Sequence, residues 1–146
     1  MDEATYRAAR SAAVPSPCVF AKAILAGAAG CQAAVRHALA ERETIGCTSP
    51  AAHADCATLA ALLRERAAFV LRLRTDAPLP HVAAMKLQCG GLSGLAAGVG
   101  TPPTDVRALA AQALARNGSP VGLPWPDIVA AVAQWQGRRR YRGGEA

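Results

Sequence analysis

The sequence is poor in aromatic and charged residues, and each shortage excludes a class of structure. Aromatic residues make up 4% of the 146 residues and charged residues 18%. Because β-sandwiches and barrels need many aromatic and β-branched residues, their scarcity disfavours both folds. The apolar fraction of 52% is too high for an intrinsically disordered chain and fits one compact domain.

Strongly apolar runs are also scarce. The longest weakly charged stretch, residues 17–35, contains Lys22 and many small Ala and Gly residues, whereas a membrane span needs about 20 strongly apolar ones. A second apolar stretch, residues 87–100, is too short to span. The acidic residues Asp2 and Glu3 at the start of the chain disfavour a secretory signal. We therefore expect a cytoplasmic protein without a membrane span.

Alanine is abundant, with 36 of the 146 residues, and this composition favours helices. The spacing of apolar residues predicts a long helix over residues 18–43 and a second over residues 49–75, which begins at Ser49-Pro50. The short connection between them predicts an antiparallel helix hairpin. We expect an all-α fold, a small helical bundle built on this hairpin with three shorter C-terminal helices and no strand.

The predicted organisation has three parts: a flexible N-terminal arm (residues 1–16), a single helical domain (residues 17–137) and a flexible basic tail (residues 138–146). Four arginines of the tail, in the run Arg138-Arg139-Arg140-Tyr141-Arg142, account for most of the net charge of +6. Such a tail is either a solvated chain end or a docking segment for an acidic protein or a nucleic acid. No nucleic-acid-binding motif accompanies it.

Five cysteines, at positions 18, 31, 47, 56 and 89, are the feature most relevant to function, and none forms a Cys-x-x-Cys pair. That absence disfavours zinc ribbons, thioredoxin-like sites and ferredoxin motifs. An odd number in a reducing compartment also disfavours a disulfide framework. Cys18, Cys47 and Cys89 fall at ends of predicted elements, where backbone N–H groups can stabilise the negative charge of an iron-sulfur cluster. The sequence therefore predicts a cluster-binding protein, with a 4Fe-4S cluster.

The predicted helices limit which cysteines can share a cluster. On a continuous helix, Cys18 and Cys31 would be about 20 Å apart, too far to bind the same group. Cys31 and Cys56 would face each other across the hairpin, and a returning helix would bring Cys89 to a similar level. The predicted ligands are Cys31, Cys47, Cys56 and Cys89. Cys18 is the alternative ligand, favoured if the first helix breaks at Gly27 to Gly30.

Two alternatives use the same residues differently. His53 lies three residues before Cys56, so both share a helix face and, with Cys47, could supply three ligands of a structural zinc site. In the other alternative no metal is bound, because cysteine also occurs as a small buried apolar residue. The protein would then be a helical interaction or adaptor module with a basic docking tail.

Signatures of catalysis are missing from the sequence. Residues 90–94 are rich in glycine, but no Gly-Lys-Ser/Thr follows them, and no local pattern marks an activated Cys-His pair. This favours a partner protein over an enzyme. We expect a role in electron transfer, redox sensing or as an accessory subunit of a larger redox enzyme, with the arginines docking onto a redox partner that has an acidic surface.

Overall fold

The computed structural model describes residues 2–14, 16–115 and 119–137. Its elements, in chain order, are α1 (Glu3–Ala13), α2 (Ala21–Leu25), β1 (Ala34–Leu39), β2 (Arg42–Cys47), α3 (Pro50–Ala67), α4 (His81–Met85), a π-helical turn (Lys86–Gly90), α5 (Gly91–Val99), α6 (Val106–Ala115), a 3₁₀ turn (Pro120–Gly122) and α7 (Trp125–Gln134). The chain is thus mostly helical with one small antiparallel sheet.

Residues 34–47 form a β-hairpin, so the predicted all-α fold and the helix over residues 18–43 are wrong. β1 pairs with β2 in a register that puts Ala34 opposite Cys47 and Leu39 opposite Arg42. The helix ends early because Gly27 adopts a φ of 79°, in the left-handed region that glycine tolerates. Ala40 has a φ of 52° at the hairpin turn. The strands thus begin only after a helix of five residues and an irregular loop.

The second predicted helix, over residues 49–75, is also too long. α3 begins as expected at Ser49, whose hydroxyl accepts a hydrogen bond from Ala52 N at 3.1 Å, but it ends at Ala67. A compact turn follows, in which Arg72 has a φ of 54°. No long antiparallel helix hairpin therefore exists in the described chain, and α3 packs against α6 and α7 instead.

The C-terminal half forms the main core around a helical run from His81 to Val99. This run is continuous although it contains several glycines. A Cβ atom added at Gly90 would lie 2.8 Å from Ala131 O, and one at Gly94 would lie 3.0 Å from Cα of Ile128. These glycines let α7 approach the run closely. Fully buried leucines from α3, α5 and α6 complete this core: Leu59, Leu63, Leu92, Leu95 and Leu109.

The run His81–Val99 is the one helix in the described residues that is long and apolar enough to cross a membrane. It has 19 residues, and an 18-residue window of it has a mean hydropathy of 1.2 and is 56% buried within the protein. Because core helices of globular proteins pass the same test, this run is weak evidence for a membrane span.

The structure describes most of the predicted N-terminal arm and none of the predicted basic tail. Residues 3–13 form α1, which rests on the hairpin: the guanidinium of Arg42 lies 4.2 Å from the ring centre of Tyr6 and 2.9 Å from a carboxylate oxygen of Glu3. The predicted basic tail, residues 138–146, lies outside the described residues.

Candidate cysteine site

Four of the five cysteines line one small cavity between the β-hairpin, the segment before α2 and the first half of α3. They are Cys18, Cys31, Cys47 and Cys56. Five of the remaining six lining residues are apolar, and His53 is the sixth. Cys56 is buried, and the other three thiols are half-buried. The cavity is therefore an apolar site, close to the surface, whose polar groups are almost all sulfur.

Cys18 and Cys47 meet because the segment before α2 pairs with β2. The backbone N–H of Cys18 donates to Ile45 O at 2.8 Å, and that of Cys47 donates to Ser16 O at 2.8 Å. Between these bonds, Pro17 forms an antiparallel bridge with Gly46. Since side chains alternate along a strand, this register turns Cys18 and Cys47 to the same face.

Cys31 lies in the loop between α2 and β1, and the start of α6 fixes that loop. Val106 N donates to Gly30 O at 2.7 Å, and Gln32 N donates to Asp105 Oδ1 at 3.0 Å. Gly30 permits this approach, because a Cβ atom there would lie 2.9 Å from Thr104 O. The loop thus holds Cys31 through hydrogen bonds to both of its neighbours in the chain.

Cys56 reaches the cavity from the inner face of α3, together with His53 one turn earlier. His53 Nε2 lies 3.1 Å from Pro17 O. Because a carbonyl oxygen only accepts, Nε2 carries the hydrogen and donates in this contact. His53 therefore ties α3 to the chain segment of Cys18, and its Nε2 is not free to coordinate a metal ion.

The electrostatics of the cavity keep at least two of the thiols protonated. Burial, followed by the charges of Cys18, Cys31 and Cys47, raises the pKa of Cys56 to about 12. Burial also raises the pKa of Cys18. A hydrogen bond from the backbone of Phe20 lowers this pKa by a smaller amount, and the charges of Cys31 and Cys47 raise it further. A neutral thiol is a poor nucleophile. Cys56 and Cys18 therefore lack the lowered pKa that activates a catalytic cysteine.

Two measures of the cavity limit what it can hold. A single tetrahedral zinc ion, with Zn–S bonds of about 2.3 Å, needs its sulfurs about 3.8 Å apart. Among residues 2–14, 16–115 and 119–137, no three His, Cys, Asp or Glu side chains are grouped closely enough to hold one metal ion. The four thiols therefore line the cavity without forming, as they stand, a group that could hold one metal ion.

The cavity has a free volume of about 10 Å³, enough for about one water molecule. A larger group held by these thiols would therefore need the lining side chains to move apart.

Cys89, one of the four predicted ligands, does not line this cavity. It lies in the π-helical turn, 3% exposed, and packs in the main core. Burial alone raises the pKa of its thiol, without a contribution from another cysteine. The cavity instead includes Cys18, the alternative ligand, because the chain breaks at Gly27 as that alternative required.

Comparisons of this chain with protein-family models, with curated proteins and with solved structures give no match.

Proposed function

We propose that this protein binds one iron-sulfur cluster, of the 4Fe-4S type, through Cys18, Cys31, Cys47 and Cys56. The observation that carries the proposal is the convergence of four cysteines, from four separate chain segments, on one apolar cavity. Cys18 replaces Cys89 in the ligand set that the sequence predicted.

The cluster would supply one-electron redox chemistry, and the chain's own residues prepare the site for it. Binding requires all four cysteines to lose their protons. Cys47 Sγ now donates to Ser49 O at 3.3 Å and would give up this bond on ionising. Because the pKa of Cys56 is raised, a bound cation has to offset the cost of its thiolate. Loading would therefore release protons and weaken as the pH falls.

The role that suits this site is electron transfer, redox sensing or service as an accessory subunit of a larger redox enzyme in the cytoplasm. Three of the thiols are half-buried, so the cluster would lie near the surface and within reach of a partner. With a net charge of +6, the chain would favour a redox partner with an acidic surface. A nucleic-acid partner has only the basic tail in its favour.

The competing function is a metal-free interaction module in which the cysteines are packing residues. The raised pKa values of Cys56 and Cys18 favour this function, because protonated, uncharged thiols are stable in an apolar cavity. A structural zinc site has less in its favour, since no three His, Cys, Asp or Glu side chains of the described residues are grouped closely enough to hold one ion.

The test is anaerobic purification of the full chain, followed by a visible spectrum and analysis of iron, sulfide and zinc. We expect brown protein with about four irons and four sulfides per chain. Cys18→Ser is the informative variant and should lose most of the iron. Cys89→Ser is the matched control and should keep it, provided that both variants show the wild-type far-UV circular dichroism.

Each of the remaining outcomes of this test favours a different alternative to the proposed cluster. Colourless, metal-free, folded protein refutes the cluster and favours the interaction module. One zinc and no iron favours the structural zinc site. Iron that is lost from Cys89→Ser and retained by Cys18→Ser would reinstate the ligand set predicted from the sequence.

A further inference from the structure

A cleft of about 280 Å³ lies next to the cysteine site and is separate from it. Its walls are one side of α3, the segment before α2, and the helical run from His81. The cleft is lined by Val19, Phe20, Ala60, Ala61, Leu63, Arg64, Leu79, Ala84, Leu87 and Gln88. Eight of these ten residues are apolar, and none is acidic. Of the lining residues, only Val19 also borders the cysteine cavity.

The volume of this cleft is in the range of a small ligand. An apolar cavity of about 150 Å³ takes up benzene, and ligand pockets begin at about 300 Å³. A space of 280 Å³ therefore admits an apolar body about twice the size of benzene. Phe20 is 1% exposed and Leu63 2%, so two of the walls belong to the rigid core and do not depend on a mobile loop.

The two polar side chains at the cleft, Arg64 and Gln88, indicate which polar group a ligand needs opposite its apolar body. The guanidinium of Arg64 is held by one hydrogen bond, from Nη2 to Ala77 O at 3.2 Å, which leaves other donors of the same group unused. Gln88 accepts from Ala23 N through Oε1 at 3.1 Å, so its amide NH₂ is the part left to donate. Both side chains therefore offer hydrogen-bond donors, and one of them carries a positive charge.

We propose that this cleft binds a small carboxylate with an apolar body, such as a medium-chain fatty acid. Its carboxylate accepts hydrogen bonds from Arg64 and from the amide of Gln88, and its chain lies along Leu63, Leu79 and Leu87. Charge-assisted hydrogen bonds to a guanidinium are about twice as strong as neutral ones. The site therefore selects a carboxylate over the corresponding alcohol. This inference does not depend on what the cysteines bind.

The test is calorimetric titration of the full-length protein with sodium octanoate, with 1-octanol as the uncharged probe of similar length. We expect saturable one-to-one binding of octanoate and at least tenfold weaker binding of octanol. Arg64→Gln should weaken octanoate binding about tenfold or more. Arg107→Gln removes the same charge from α6, outside the cleft, and should leave binding unchanged.

A second variant keeps the test decisive if Arg64 also matters for folding. Ala61 is an exposed residue of α3 at the cleft, so Ala61→Leu narrows the space without disturbing the core. It should weaken octanoate binding while the far-UV circular dichroism stays that of the wild type. Octanoate that fails to saturate the wild type, or that binds Arg64→Gln and the wild type equally, would overturn the proposal.

Discussion

The buried thiol of Cys56 predicts that the metal-free, reduced protein loses stability in mild alkali. The cavity raises the pKa of this thiol from its ordinary 9.0 to about 12, so between these values the unfolded chain has lost a proton that the folded chain still holds. Stability falls with pH wherever the folded state binds more protons. The contribution of Cys56 is therefore fully present below pH 9 and is lost as the pH rises towards 12.

The size of this loss follows from the two pKa values. At pH 10 they give a destabilisation of about 1.4 kcal/mol relative to neutral pH. For a chain of 146 residues this corresponds to a fall in Tm of about 4 °C. The raised pKa of Cys18 acts in the same direction.

The assay is thermal unfolding at pH 7.5 and pH 10, followed by circular dichroism, with a chelator and a reductant present. Lysine and tyrosine residues also titrate in this range, so the informative quantity is the difference between the wild type and Cys56→Ala. The variant should lose about 4 °C less than the wild type on going to pH 10. Thr58→Ala, on the exposed side of the same helix, should show the full wild-type loss. Equal losses in the wild type and Cys56→Ala would refute the electrostatic account of the cavity.

Two further predictions concern helix packing and helix capping. Gly90→Ala places a Cβ atom 2.8 Å from backbone atoms of α7. It should lower the free energy of unfolding in urea by about 1–2 kcal/mol, even though alanine favours helix. The control Ser93→Ala, on the exposed face of α5, should be neutral or stabilising. Ser49→Ala removes the side-chain acceptor for Ala52 N and should cost about 1 kcal/mol in the same assay, while an unchanged urea midpoint would show that the cap contributes nothing.

The sequence predicts where α3 begins, because the chemistry of a helix start is local. Ser49 caps α3, and Pro50 is its first residue. Where helices end was harder to predict. Gly27 is a weak point of the first predicted helix, yet the spacing of apolar residues from Cys31 to Leu39 suits a helix as well as a strand. Pairing with β2, a tertiary event, decides for the strand.

The candidate site shows the same division between local and long-range information. Cysteine content and the absence of Cys-x-x-Cys pairs are properties of the sequence, and they suffice to suggest a site built from distant residues. Which cysteines meet depends on contacts that no local pattern encodes, such as the pairing of Ser16 with Cys47. The sequence predicts Cys89 at the site because a helix returning after the predicted hairpin would bring it to the level of Cys31 and Cys56.

The sequence by itself determined the composition, the charge, the helix starts and the supply of thiols, since these depend on residue types and their nearest neighbours. Tertiary structure alone decided that Cys18 joins Cys31, Cys47 and Cys56 at one cavity and that Cys89 packs in the core. The physical reason is that a left-handed glycine and a two-stranded hairpin redirect the chain, and such a hairpin is stable only when it packs against other segments, here α1, α2 and α3.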